Sequence, residues 1–389
     1  EAGRLIHRDL LVRCGSRADD PVIKTSIIDM YGKCGDIDDA ENVFCGLHER
    51  DVVSWGSMLS GIIASGDTFR AICLFKRMQE EGRKVSENIL SSLLTLCGDS
   101  RDLRHGRLVH DHVIINNFYS DDMILGNNLV ELYVKCGSLR EANKVFDSLP
   151  FCNSVTWTLI ISGYVIQGDG VHALELYAKM MKQGDVKPDK VMFIFVLKAC
   201  SIVGAILHGM VIHERTIRDG LDKDLAIENA LLEMYAKCGN IKEAQNVFVR
   251  MKKHDVVAWG TLSCGFAQSG DLLSMLSLFR SMNCEESIKP DSVIFTNLLK
   301  SCCNMGLTSE GCKLVESMAR NHNINPEVEH YSSMIDLLGR VGQLHEAEDL
   351  LITIPGSCIK PMPQTSFLAN CRTYGNVNLG AHASMVGLI

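Results

Sequence analysis

The chain has 389 residues, 46% hydrophobic and 22% charged, enough apolar material for a core and unlike a disordered segment. It exceeds the roughly 250–300 residues at which one core stops growing, which leaves several domains or an extended array of repeats. With 47 Asp and Glu against 39 Lys and Arg the net charge is −8, which argues against holding nucleic acid or a membrane surface through bulk charge, but not against a ligand gripped by local hydrogen bonds.

The opening residues, EAGRLIHRDL, lack the apolar stretch and cleavage site of a signal peptide and do not start with Met. The sequence is therefore expected to be a piece of a longer protein whose targeting segment is absent. No apolar run approaches the ~18 residues of a membrane span. The 16 cysteines include no C-x-x-C, against a zinc ribbon or redox motif, and are expected to be buried free thiols in a reducing compartment.

From residue 21 onward the chain repeats itself. Trp55, Trp157 and Trp259 are spaced by 102 residues, as are Tyr31, Tyr133 and Tyr235, and Phe44, Phe146 and Phe248. Cys34, Cys136 and Cys238, each in K-C-G, keep the same register, with Gly66, Gly168 and Gly270, and Met78, Met180 and Met282. Each unit subdivides into three helix-pair patterns. The first reads YGKCGDIDDAENVF at Tyr31–Phe44 and recurs at Tyr133–Phe146 and Tyr235–Phe248. The second reads VVSWGSMLSG at Val52–Gly61 and recurs at Ser154–Gly163 and Val256–Gly265. The third, at Leu93–His110 and Val196–His213, has a fainter copy at Leu298–Val315. The cuts fall at 21–51, 52–86, 87–122, 123–153, 154–189, 190–224, 225–255, 256–291, 292–327 and 328–359, with lengths near 31, 35 and 36 residues.

Each piece predicts a helical hairpin. Ala71, Leu74, Phe75 and Met78 form an i, i+3, i+4, i+7 stripe, repeated at Ala173, Leu176, Tyr177 and Met180 and at Met275, Leu278, Phe279 and Met282. Glycines 66, 168 and 270 sit where a left-handed cap is needed between two helices. Lys187-Pro188-Asp189 and Lys289-Pro290-Asp291 close their hairpins, because Pro cannot continue a helix. One hairpin cannot bury its own stripe, so neighbours are expected to stack into an all-α solenoid whose core is the repeated Trp, Tyr, Phe and Met.

V-V-S-W, M-Y-x-K-C-G, E-A-x-x-V-F and K-P-D resemble the pentatricopeptide repeat family, and the rotation of motif lengths resembles its plant PLS subclass. The resemblance runs over about residues 1–389. Residues 1–20 look like the end of a long motif, Val328–Leu351 resembles the terminal short motif, and 360–389, with FLANCRTYGNVNLG at Phe367–Gly380, resembles a truncated start of the E extension. The resemblance implies about twenty helices in a right-handed superhelix, with the first helix of each pair on the concave face. It implies sequence-specific binding of single-stranded organellar RNA, one base per repeat, a mode known for these repeats, and specification of C-to-U editing sites. Implied partners are a deaminase, in trans or in a missing C-terminal region, and editing-factor proteins. The implied location is the mitochondrion, with the chloroplast as alternative.

In the family the fifth and last residues of a motif hydrogen-bond one base and the second packs on its face. Carried over, the fifth and last residues are Thr25 with Asp51, Asn127 with Asn153, Thr158 with Asp189, and Asn229 with Asp255. The second residues are Val22, Ile124, Val155 and Ala226. A carboxylate only accepts, so Asp suits guanine or uracil, which present an imino N–H, whereas Asn can donate to the bare N3 of cytosine. Family usage then implies G for Thr with Asp, U for Asn with Asp and a pyrimidine for Asn with Asn. Gly56 and Gly260 have no side chain to read with, Ser86 and Val85 stand where Asp and Pro are usual, and Ile194 is apolar. Ser91 with Asp122 is a nominal G reader in a long motif, and Thr296 with Glu327 and Ser332 are unassigned. Along the RNA the ten motifs imply G ? ? Y G ? U ? ? ?.

The family's deaminase would need H-x-E and C-x-x-C around a zinc-bound water; the sequence has neither, nor a phosphate-binding G-x-x-x-x-G-K-[ST]. His110, His112 and His345 with Glu346 are expected to be solvated or capping. No catalytic activity, metal, cofactor, membrane or small-molecule substrate is expected. A protein-binding scaffold of tetratricopeptide type, or an RNA stabilisation or splicing factor, remains the alternative, the acidic charge favouring the scaffold slightly. The polar pairs at fixed register disfavour it, because a protein-binding groove needs none.

Overall fold

The computed structural model describes residues 3–5, 7–8, 20–115, 123–284, 289–354 and 361–386. Within these the regular structure is helical, with no strand. Asp122, most of the presumed long-motif end before residue 20, and the end of the tenth motif lie outside the described residues. Two compact units divide the chain at Phe195 and Val196.

In the first unit α1 (Pro21–Cys34) pairs with α2 (Ile37–Cys45), α3 (Val52–Ser65) with α4 (Thr68–Glu80), and α5 (Glu87–Asp99) with α6 (Leu103–Ile115). Two further pairs follow, α7 (Met123–Lys135) with α8 (Leu139–Ser148) and α9 (Ser154–Ile166) with α10 (Gly170–Gln183), before α11 (Lys190–Val203) begins. The second unit holds the rest of α11, then α12 (Ile206–Arg218), α13 (Leu225–Lys237) and α14 (Ile241–Arg250). It continues with α15 (Val256–Ser269), α16 (Leu272–Cys284), α17 (Ser292–Met305), α18 (Thr308–His322), α19 (Val328–Arg340) and α20 (Leu344–Thr353). A last pair, α21 (Pro361–Thr373) and α22 (Val377–Val386), follows the tenth repeat. Within each unit, α11 aside, the odd-numbered helix of a pair packs on its even-numbered partner and on the odd-numbered helix of the next pair, as α1 on α3, α5 on α7, α15 on α17 and α19 on α21. This is a solenoid of stacked hairpins.

Local chemistry sets the helix ends. Asp or Asn caps the first turn of α1, α3, α9, α13, α15 and α17 by accepting a backbone N–H. Gly66, Gly168 and Gly270 turn the chain into the second helix at φ of +79°, +80° and +74°, a region that side-chain-bearing residues adopt only under strain.

The repeated aromatics are the stacking core. Trp55, Trp157 and Trp259 are at most 3% exposed. Each meets the Phe of the preceding short motif edge to face, with ring centroids 4.8, 4.8 and 4.9 Å from Phe44, Phe146 and Phe248. The 71, 74, 75, 78 stripe is buried throughout, while its copies keep only Ala173, Met180, Met275 and Met282 buried. Phe367 and Cys371 of α21 close onto Ile335, Leu338, Ala347 and Leu351, so the last pair continues the same packing.

Two expectations need correction. Of the described cysteines, Cys97, Cys200, Cys302, Cys303 and Cys371 are buried, but Cys34, Cys45, Cys73 and Cys312 are exposed, Cys34 and Cys45 because they are the last residues of α1 and α2. Burial pushes the Cys97 and Cys200 thiols up to about 12. His110 and His112 are neither solvated nor caps. His110 Nδ1 lies 2.7 Å from the Tyr133 hydroxyl, and His112 Nδ1 lies 2.6 Å from the Gln79 amide with its ring edge-on to Phe75. The contact recurs at His7 with Tyr31 and His213 with Tyr235, at 3.0 and 2.9 Å.

Candidate nucleic-acid interface

The second and fifth residues lie in the first turns of a motif's first helix, and Asp51, Asn153, Asp189 and Asp255, the last residues of their motifs, cap the first helix of the next pair. Asp51 accepts from the Ser54 N–H at 2.8 Å, Asn153 from Thr156 at 2.9 Å, Asp189 from Met192 at 2.8 Å and Asp255 from Ala258 at 2.8 Å. The cap uses one side-chain oxygen and leaves the other, or the Asn amide nitrogen, for further bonds. The Ser54 N–H, as the largest cause, holds the Asp51 carboxyl below the usual carboxylate range.

The four pairs differ in how the fifth residue meets the last. Asn229 Nδ2 donates to Asp255 Oδ2 at 2.9 Å, so this pair is joined directly. Asn127 and Asn153 are joined through Thr156, whose Oγ1 lies 2.7 Å from Asn127 Oδ1 and 3.0 Å from Asn153 Oδ1. Thr158 is not joined to Asp189: the Asp189 Oδ2 accepts instead from Ser154 Oγ at 2.8 Å. Thr158 is only 9% exposed. Thr25 is half-buried and Asp51 exposed.

Three fifth-position residues share one feature. The Thr158 hydroxyl, the Asn229 Oδ1 and the Ser332 hydroxyl are buried without a hydrogen-bond partner in the protein. Such an atom costs about 1–3 kcal/mol while unsatisfied. Ser332, left unassigned above, thereby joins Thr158 and Asn229.

The second residues are exposed despite being apolar. Val22 is 72% exposed, Ile124 64% and Val155 52%, and Ala226 is also exposed. The same register holds Val53, Val191, Val257 and Val293, exposed by 49–64%, which were not carried over above. Their signal was available: each is the second residue of its motif.

At the other end of the first helices the in-register lysines of K-C-G are paired within one turn or back to the first helix of the preceding pair: Lys33 with Asp29, Lys135 with Glu131 and with Asp99 of α5, and Lys237 with Glu233, at 2.6–2.7 Å. Among the described residues no group of three or more His, Cys, Asp and Glu is arranged to hold a metal ion.

The sequence profile described as PPR repeat matches residues 22–52, 53–83, 127–153, 155–185, 229–256, 257–286, 293–322 and 329–357, more than half of the chain. Pentatricopeptide repeat-containing protein At5g27110 of Arabidopsis thaliana is 37% identical over 355 residues, covering 91% of this chain and 51% of that protein. Pentatricopeptide repeat-containing protein At1g06140, mitochondrial, from the same plant, is 32% identical over 384 residues, covering 97% of this chain and 67% of that protein. At1g11290, chloroplastic, is 32% identical, covering 93% of this chain and 44% of its own length. The chain thus spans about half the length of several curated relatives it matches. Among solved structures, the pentatricopeptide repeat protein PPR10 in complex with an 18-nt psaJ RNA element superposes with a TM-score of 0.76 at 16% identity, over 94% of this chain and 55% of that one. The fold, the repeat matches and the relatives agree: the chain belongs to the pentatricopeptide repeat family.

Proposed function

We propose that the chain binds single-stranded RNA, one base per motif, through the second, fifth and last residues described above. The observation that carries this reading is the recurrence of a buried, unpartnered polar atom at the fifth position, in Thr158, Asn229 and Ser332, beside exposed second-position residues. A base laid there offers the polar atom a partner and covers part of the aliphatic side chain, which contributes at most about 1.5 kcal/mol, the lower figure for a Val buried outright. Asn229 with Asp255 reads U, Asn127 with Asn153 a pyrimidine, and Thr25 with Asp51 and Thr158 with Asp189 read G. The RNA-bound PPR10 supports this choice of ligand.

Within the family, the rotation of motif lengths and the hairpin at 361–386 support membership of the PLS subclass with the start of an E extension. On that reading the protein specifies C-to-U editing sites in organellar transcripts by recruiting a deaminase, supplied in trans or by another part of the full protein. Its relatives include proteins named mitochondrial and chloroplastic. A protein partner is supported by α12, where Leu207, Met210 and Val211 are 73%, 42% and 66% exposed at i, i+3, i+4 spacing.

The test is a titration with single-stranded RNA carrying the read bases, a scrambled single strand and the duplex. The expected order is read strand, scrambled strand, duplex, unchanged by a chelator. Equal affinity for duplex and single strand overturns the reading. Sequencing organellar RNA from a plant lacking the gene tests the editing assignment, which fails if every site remains converted.

A further inference from the structure

Where a long motif meets the short motif after it, the same two side chains recur. His7, His110 and His213 meet Tyr31, Tyr133 and Tyr235 edge to face, at 3.0, 2.7 and 2.9 Å from nitrogen to hydroxyl. The fourth such seam, between α18 and α19, departs from this. In register the histidine becomes Val315, the last residue of LLKSCCNMGLTSEGCKLV, and the tyrosine becomes Leu338. Two smaller aliphatic side chains stand in place of a hydrogen-bonded pair of rings, and both line a groove of about 560 Å³ bordered by α18 and α20. Met334 joins Leu338 as a buried part of the lining, and Leu350 joins Val315 as a half-buried one.

A third change falls in the same place. Gln343 stands where α14 has Asn240, which caps that helix by accepting the Glu243 N–H at 3.2 Å. Gln343, one methylene longer, makes no cap bond to α20, and its Oε1 is buried without a hydrogen-bond partner in the lining of the groove.

The charge around the groove has one sign. Glu316, Glu346 and Asp349 are exposed in its lining, which holds no Lys or Arg. Glu316 is paired with Arg320 at 3.4 Å, whereas Glu346 and Asp349 make no ion pair among the described residues. Carboxylates and the Gln343 oxygen accept hydrogen bonds and cannot donate them. A phosphate backbone is repelled here and a cation attracted. A basic side chain suits such a groove with both its parts, the aliphatic stem on the apolar lining and the charged head at the carboxylates.

We infer that the groove between α18 and α20 takes a basic segment of a partner protein. One apolar side chain of that segment lies on Val315, Met334, Leu338 and Leu350, and a Lys or Arg beside it meets Glu346 and Asp349. This goes beyond the RNA reading and does not depend on it, because the reading positions lie at the starts of first helices.

The experiment measures binding of the full chain, by fluorescence anisotropy at low salt, to three labelled hexapeptides. One has two leucines flanked on each side by lysine and arginine, the second the same leucines flanked by glutamates, and the third serines in place of the leucines of the basic peptide. The basic leucine peptide is expected to bind roughly tenfold or more tighter than either of the others, the worth of an apolar side chain taken out of water. Glu346→Lys, at an exposed position, should weaken that peptide roughly two- to tenfold with unchanged melting temperature. Val315→His with Leu338→Tyr restores the pair of the other three seams and should abolish the preference for leucine. If the serine peptide or the acidic peptide binds as tightly as the basic leucine peptide, the groove is no such site. If Glu346→Lys binds that peptide as the parent chain does, the inference is overturned even where the double variant does not fold. Displacement of the peptide by single-stranded RNA would assign the groove to RNA and overturn it too.

Discussion

At the scale of single residues the same side chain serves structure and recognition. Asp51, Asn153, Asp189 and Asp255 each cap the next helix with one atom, so their rotamers are set before any ligand arrives. Thr158 tests the recognition half. Replacing it with Asn gives the pair found at Asn229 with Asp255, and the preferred base opposite motif 154–189 should move from G towards U by roughly five- to a hundredfold in relative affinity. Binding to four RNAs differing at that base checks it; an equal loss on all four would mark Thr158 as structural. The half-buried histidines make a second prediction. Burial holds His110 and His213 below the ordinary histidine range, with Arg250 adding to this at His213 and Asp111, Glu214, Asp222 and Glu243 opposing it. The unfolded chain then binds more protons, so the stability from these groups is present above about pH 6.5 and is lost as pH falls below it. Thermal melts at pH 7.5 and 5.5 should show the penalty of His213→Gln shrinking at the lower pH, and a penalty that grows would contradict the assignment.

At the scale of elements, hairpin geometry depends on a few close approaches. Gly32 of α1 and Gly61 of α3 face each other so closely that a Cβ on Gly61 would lie 2.8 Å from the Gly32 Cα. Backbone cannot yield as a side-chain tip can, so Gly61→Ala must part the two helices. The expected loss is about 1–3 kcal/mol, the usual range for overpacking, read from chemical denaturation. Gly66→Ala, at φ of +79° but with open space around it, should cost about 1–2 kcal/mol through backbone strain alone. The order of the two after RNA is added is informative, because parting α1 from α3 also moves Val22 and Val53.

At the scale of the whole molecule, charge decides the kind of binding available. A net charge of −8 gives no bulk attraction for phosphates, and the in-register lysines are paired to carboxylates. RNA affinity should therefore fall only gently with salt. Each phosphate neutralised on a single strand adds about 0.7 to the slope of log K against log salt, and a slope below about 3 is expected; a steep slope would mean that phosphate contacts, not base contacts, dominate.

Much of this architecture was legible in the chain itself, because it depends on neighbours in sequence. The 102-residue register, the left-handed glycines at 66, 168 and 270, the capping Asp and Asn, and the apolar stripe at 71, 74, 75 and 78 follow from helix periodicity and backbone sterics. The candidate positions were legible too, since each recurs at one place in its motif. Only the tertiary structure decided what their atoms touch. It placed Asn229 on Asp255, turned Asp189 towards Ser154, buried the Thr158 hydroxyl without a partner and joined His110 to Tyr133. These contacts form between one hairpin and the next, where a shift of an ångström exchanges one hydrogen-bond partner for another, and no local pattern of residue types encodes that distance.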